Sequence, residues 1–141
     1  MIPAGEMITT KAPRRSKILV VDESLSEALL LARHLLVEGF EVVTAADSNQ
    51  AQLSVLLDPP HCIILEVFLS NGLNGFQLCR LFKKHPALCH IPILFVTRMC
   101  SPLDRSWALR QGAQDFLTKP YDKFFLLNTV KTCVQFHFHP L

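Results

Sequence analysis

The sequence predicts an α/β protein: a doubly wound parallel sheet of five strands with five helices. Three observations carry that prediction. Short apolar runs recur along the chain, among them those within KILVVD, HCIILE and IPILFVT, and such a run bounded by turn residues reads as a strand buried on both faces. Helical patterns fill the intervals between the runs, and strands alternating with helices build a parallel sheet. Several runs also end abruptly in a polar or charged residue, at the strand ends where open α/β sheets form their ligand crevice.

In chain order, residues 1–16 hold Pro3, Gly5, Pro13 and the pair Arg14-Arg15 and read as a flexible leader. Lys17 to Asp22 is the first strand, ending in acid. Ser24-Leu25-Ser26-Glu27 reads as a capping box that starts a helix, with Leu25, Leu29, Ala32 and Leu36 at helical spacing and Gly39 suited to its C′ position. Phe40 to Ala45 is the second strand. Asp47 or Ser48 caps a helix that runs to Leu57 and stops before Pro59-Pro60.

His61 to Glu66 is the third strand, central by its continuous hydrophobicity and closed by a single carboxylate. A loop from Leu69 to Asn74 leads to a helix from about Gly75 to Lys84, ending before His85-Pro86. Ile91 to Thr97 is the fourth strand, with Pro92 near its beginning. Ser101-Pro102-Leu103-Asp104 supplies an N-cap, an N1 proline and a first-turn acid for a helix ending at Gly112. Gln114 to Thr118 is the fifth strand, broken by Lys119-Pro120. Asp122 opens the last helix, with Phe125, Leu126, Thr129, Val130, Cys133 and Val134 on one face. The flavodoxin-like strand order 2-1-3-4-5 suits this pattern. One domain spans 17–136, and 137–141 is a short tail.

Composition narrows the function. A chain of 141 residues, half of them hydrophobic, is long enough for one real core and is not disordered. A net charge of +2 argues against direct nucleic-acid binding. Five cysteines, without a CxxC pair, read as mostly buried free thiols in a reducing cytosol. No apolar run reaches the ~18 residues of a membrane span, and the start lacks the apolar core of a signal peptide, so a cytoplasmic protein without membrane contact is expected. No Gly-rich phosphate loop or Ser/His/Asp set is present, Cys100 has no evident activating histidine, and no enzyme activity is expected. His137 and His139 near Cys133 read as a solvated terminus rather than a metal site. Phe136 and Phe138 would cover the core or form a docking patch.

In the predicted fold the carboxyl ends of four strands face one crevice. They deliver Asp22 and Glu23, then Glu66, then Thr97, then Lys119. Clustered carboxylates need a cation, an ammonium or a proton. All-oxygen donors suit Mg²⁺, and a lysine with a hydroxyl can hold a phosphoryl oxygen.

The segments KILVVDE, IILEVFLSNGLNGFQLC, PILFVT and GAQDFLTKP closely resemble the receiver domain of bacterial two-component response regulators, over about Lys17 to Val134. The resemblance implies a Mg²⁺-dependent switch phosphorylated by a histidine kinase. Asp22, Glu23 and Glu66, with the backbone carbonyl of Phe68, would hold the metal. Thr97 and Lys119 would contact the phosphoryl group. Phe116 would change rotamer with Thr97 and remodel the face of the fourth helix, fifth strand and fifth helix, which is also the family's usual dimer face. The Lys119-Pro120 bond is expected to be cis.

The departures are specific. Glu66 stands where the family has its phosphoacceptor aspartate, Ser70 where a proline is usual, and Arg98 where a small residue is usual. The loop Ser70 to Gly75 is one residue longer than the commonest form. The longer carboxylate of Glu66 can fill the anion site and reach toward Lys119 or Thr97, while Arg98 can cover the crevice or pair with Glu66. These departures point to a pseudo-receiver acting by protein–protein contact, with a histidine kinase or a downstream signalling protein as partner. The alternatives are a phosphorylatable Mg²⁺-dependent switch, or a small ligand-binding protein or enzyme on the same fold. No effector segment is legible, so the chain acts alone or belongs to a larger protein.

Overall fold

The computed structural model describes the backbone of residues 15–138 and the side chains of residues 15–135. The leader expected before residue 15, the tail expected from 139, and the side chains of Phe136, His137 and Phe138 lie outside the described residues, as does His139. The elements follow in strict alternation: β1 (Lys17–Val21), α1 (Leu25–Val37), β2 (Glu41–Ala45), α2 (Ser48–Leu57), β3 (Cys62–Leu65), α3 (Gly75–Lys84), β4 (Ile93–Thr97), α4 (Pro102–Arg110), β5 (Asp115–Thr118) and α5 (Lys123–Phe138). The strands form one sheet in the order β2-β1-β3-β4-β5, with every pair parallel.

Alternation along the strands sorts the core into two layers, because successive side chains leave a strand on opposite faces. Leu19, Val21, Ile63, Leu65, Ile93 and Phe95 pack against α2, α3 and α4 through Ala51, Val55, Leu78, Phe82 and Ala108. Ile18, Val20, Cys62, Ile64, Leu94 and Val96 pack against α1 and α5. The central strands β1, β3 and β4 are buried throughout, whereas β2, at the sheet edge, is half-open.

Local chemistry sets the ends of the helices. Asp47 caps α2, Asn74 and Gln77 form a capping box on α3, and Ser101 and Asp104 form one on α4. Gly39 follows α1 with φ +95, a conformation that side-chain-bearing residues resist. The Lys119-Pro120 bond is cis.

Three expectations need correction. The buried residues of α1 are Ala28, Leu31, Ala32 and Leu35, while Leu25, Leu29 and Leu36 are exposed. On α5, Leu127 is buried and Phe125 is exposed. The predicted capping box at α1 is half made: Ser24 Oγ accepts from Glu27 N, but the Glu27 carboxylate turns to Lys119. The cysteines need none: three of the five, Cys62, Cys79 and Cys133, are buried and free as expected, with Cys89 and Cys100 exposed.

Candidate functional site at the carboxyl ends of the strands

The site follows from register. Val20 lies beside Ile64 and Val21 beside Leu65, so the residues that continue β1 and β3, Asp22 and Glu66, emerge side by side. Thr97 lies beside Thr118, and the Lys119 backbone N–H donates to the Thr97 carbonyl at 2.7 Å. Counted in steps of two, Asp22, Glu66 and Lys119 continue the face that packs on α1 and α5, which brings them toward Glu27 on the first turn of α1.

Lys119 is the hub. Its Nζ donates to Asp22 Oδ2 at 2.6 Å, to Glu66 Oε1 at 3.1 Å and, in a short contact, to Glu27 Oε1. The Glu66 side chain is only 2 % exposed. Its second oxygen, Oε2, accepts a short hydrogen bond from the Thr97 hydroxyl and another from the Phe68 backbone N–H at 3.2 Å. Asp22 Oδ1 accepts from Ser24 N at 2.9 Å. Each buried acid therefore has donors, as burial of a charge requires.

The electrostatics follow from these contacts. Burial acts to lower the Lys119 ammonium, but hydrogen bonds to Asp22 and Glu27 outweigh it and carry its pKa well above the lysine range. Glu27 is pulled below the usual carboxylate range by its hydrogen bond to Lys119. Glu23 is pulled down by the Ser70 hydroxyl, then by the Ser70 backbone N–H, with Arg98 adding to the effect.

Glu23 does not join the cluster. It turns to Ser70, accepting from the backbone N–H at 2.8 Å and from Oγ at 2.6 Å. Arg98 forms no ion pair with Glu66 among the described residues; its guanidinium lies 5.8 Å from the Phe68 ring centroid. Phe116 is buried, with its ring 6.2 Å from that of Phe95.

As donors, Asp22, Glu23 and Glu66 suit a hard divalent cation in kind. In this arrangement an ammonium stands among the carboxylates and Glu23 is committed to Ser70, so a cation would compete with both. Among the described residues, no group of three or more His, Cys, Asp or Glu side chains is placed to hold a metal ion.

The sequence reading brought Asp22, Glu66, Thr97 and Lys119 to one place. It missed Glu27, whose position three residues after Ser24 pointed to a capping role. It also missed the Ser70–Glu23 pair; a hydroxyl in a loop at the crevice mouth was the only signal.

The fold and site together define a flavodoxin-like α/β module with an acid–lysine–hydroxyl cluster at the carboxyl ends of its strands. The chain belongs to the response regulator receiver domain family, whose model matches residues 18–131. It is 38% identical over 121 residues to the response regulator PleD of Caulobacter vibrioides, covering 86% of this chain and 26% of PleD. It is 34% identical over 115 residues to the protein PilH of Pseudomonas aeruginosa, covering 82% of this chain and 94% of PilH. Among solved structures, it is similar to the signal receiver domain of a signal transduction histidine kinase from Syntrophus aciditrophicus. That match has a TM-score of 0.78 at 31% identity and covers 85% of this chain and 90% of the other. Receiver domains are in general signalling modules rather than enzymes; they engage histidine kinases and downstream effectors and bind Mg²⁺ at their phosphorylation site. No described helix is long and apolar enough to cross a membrane.

Proposed function

We propose that this chain is a pseudo-receiver: a cytoplasmic module of a two-component pathway that acts by protein contact without ordinary aspartyl phosphorylation. In this reading Glu66 occupies the phosphoacceptor position and stands in for a phosphoryl group. The observation that carries it is that the two Glu66 oxygens engage Lys119 and Thr97, the two groups that the family resemblance assigns to the phosphoryl oxygens. The buried Phe116 ring beside Phe95 accords with a surface held near one switch state.

The stand-in is incomplete on physical grounds. A carboxylate brings one charge and two acceptor oxygens, against ~1.5–2 charges and three oxygens for a phosphate. Moving a two-state equilibrium fully from one side to the other takes about 5.5 kcal/mol, more than one carboxylate supplies, so the bias toward the active arrangement is partial.

The test is a series at position 66, read by intact mass after incubation with acetyl phosphate and Mg²⁺ and by amide shifts at Thr97 and Phe116. The wild type should take up no phosphoryl group. Glu66→Asp should become labelled, and Glu66→Gln should move the Thr97 and Phe116 signals without labelling. Labelling of the wild type would establish a working phosphoryl switch instead. Unchanged signals in Glu66→Gln would make position 66 a static part of the scaffold.

For Mg²⁺, the proposal is weak binding at Asp22, Glu23, Glu66 and the Phe68 carbonyl, because Lys119 competes for the carboxylates and Ser70 holds Glu23. Titration followed by Trp107 fluorescence and by amide shifts near Asp22 should show low affinity, and Ser70→Ala, which frees Glu23, should tighten it. No shift at saturating Mg²⁺ in either protein would remove the metal site. A histidine kinase or a downstream signalling protein is the proposed partner, with no direct role for nucleic acid or membrane.

A further inference from the structure

Two of the five cysteines meet in the core. Cys62, the first residue of β3, faces the layer closed by α1 and α5, and Cys133 on α5 packs into that same layer. A hydrogen bond joins the two thiols. β3 and α5 come close enough for Cα atoms of the two elements to lie within 8 Å. Cys79 packs in the opposite layer, across the sheet, and Cys89 and Cys100 are exposed. The two sulfurs differ in access. Cys62 is fully buried, whereas Cys133, 3% exposed, lines a cavity of about 350 Å³ between β5 and α5. That is many times the ~30 Å³ a water molecule takes up in the liquid. Asn128 and Thr132, both exposed, line it as well, so the cavity opens to solvent. From this arrangement we propose that Cys133 and Cys62 form an oxidisable dithiol: Cys133 is the sulfur that a small peroxide oxidises, and Cys62 resolves it into a disulfide.

The hydrogen bond assigns the roles. It draws the Cys133 thiol down, against burial and the Asp115 carboxylate, which is itself paired with Arg105. The same bond pushes Cys62 up, and burial adds to it. The proton thus stays with Cys62, and thiolate character falls to Cys133, the sulfur nearer to solvent. Oxidation follows thiolate character and access, so both select Cys133. Cys79, in the other layer, is pushed up to about 11 by burial.

With hydrogen peroxide as oxidant the steps balance. The Cys133 thiolate attacks one peroxide oxygen, the O–O bond breaks and hydroxide leaves, giving a sulfenic acid. Cys62, losing its proton, then attacks the Cys133 sulfur; an S–S bond forms and the sulfenic oxygen leaves as water. In sum two thiols lose two electrons and two protons, and one peroxide becomes two waters. The bond fastens the second half of α5 to the central strand, and a small thiol in excess reverses it by exchange. Cys62 begins β3 whereas Glu66 follows its end, so this inference is independent of whether Glu66 mimics a phosphoryl group.

The experiment uses the full chain carrying Cys89→Ser and Cys100→Ser, both at exposed positions. The folded protein is treated with hydrogen peroxide and read by intact mass and by peptide mapping without reductant. The expected product has lost two hydrogens, contains a peptide in which Cys62 is linked to Cys133, and returns to the dithiol with dithiothreitol. Adding Cys62→Ser keeps a hydrogen-bond donor but removes the resolving sulfur, and should leave on Cys133 a sulfenic acid that dimedone traps. Thr132→Trp, which fills the cavity from an exposed position, should slow the linkage several-fold. Circular dichroism checks the fold of each variant. A linkage that forms only in denaturant would overturn the proposal. So would equal linkage to Cys79, no dimedone adduct on Cys133 in Cys62→Ser, or an unchanged rate in Thr132→Trp.

Discussion

At the scale of single residues, Lys119 holds the crevice together. Removing one partner from a buried ion cluster is more costly than the cluster is stabilising, because the remaining charges keep their desolvation penalty. Lys119→Met leaves Glu66 and Asp22 facing each other in a buried site, and the expected loss is about 3–5 kcal/mol, measured by denaturant unfolding at neutral pH. The wild type loses stability in acid. Glu27 and Glu23 have folded-state pKa values below the ordinary 4.5, so their contribution is present above that value and is lost as the pH falls through the depressed ones. Lys119 is raised, so its contribution holds across all pH values below the ordinary lysine range and fades only in strong alkali. Stability against pH should thus be flat near neutrality and fall below about pH 4.5. In Glu27→Gln that acid limb should be shallower; an unchanged limb would mean that Glu27 does not prefer its charged form when folded.

At the scale of elements, α1 shows where the sequence is ambiguous. Its stretch LSEALLLARHLLV carries leucine on every side, so several stripes fit a helical period and the spacing could not choose among them. The choice is made by the sheet, which presents Ile18, Val20 and Ile64 to one stripe only. Leu35→Ala should therefore cost about 2–5 kcal/mol, and Leu36→Ala, one position on, within about 0.5 kcal/mol; comparable losses in denaturant unfolding would refute the observed face. The strands had no such ambiguity, since runs such as CIIL are too apolar and too short for anything but a central strand. The same clarity made Asp22, Glu66, Thr97 and Lys119 legible, each standing where a buried run stops. Glu27 and Ser70 were not, because their partners lie 92 and 47 residues away in the chain and only the folded register brings them together. Gly75 belongs with them: a Cβ there would collide with the Glu66 carbonyl oxygen and come within 2.7 Å of the Val67 Cα, a close approach that the loop sequence did not announce.

At the scale of the whole molecule, the two edges of the sheet differ. On the β5 side, α4 buries only Ala108 fully. It is tied to β5 through Arg105, whose guanidinium donates to the Phe116 carbonyl at 2.9 Å and pairs with Asp115 at 3.0 Å. Leu103 and Trp107, four residues apart on that helix, are 79% and 45% exposed, and Phe124 and Phe125 at the start of α5 are 71% and 55% exposed. Four large apolar side chains around one short edge strand are more than scattered surface residues require, and the occupant we propose is a second copy of the chain, giving a homodimer through α4, β5 and α5. Leu36, Val37, Leu53 and Leu57, on the two helices that flank β2 in the chain, offer a rival apolar surface. Sedimentation velocity over a range of concentrations separates them. Self-association through the β5 side should vanish in Trp107→Glu and persist in Leu57→Glu, with unfolding stability changed by no more than about 0.5 kcal/mol in either, since both positions are exposed. A dimer lost in Leu57→Glu instead would move the interface to the other edge, and a monomer at every concentration would end the dimer proposal.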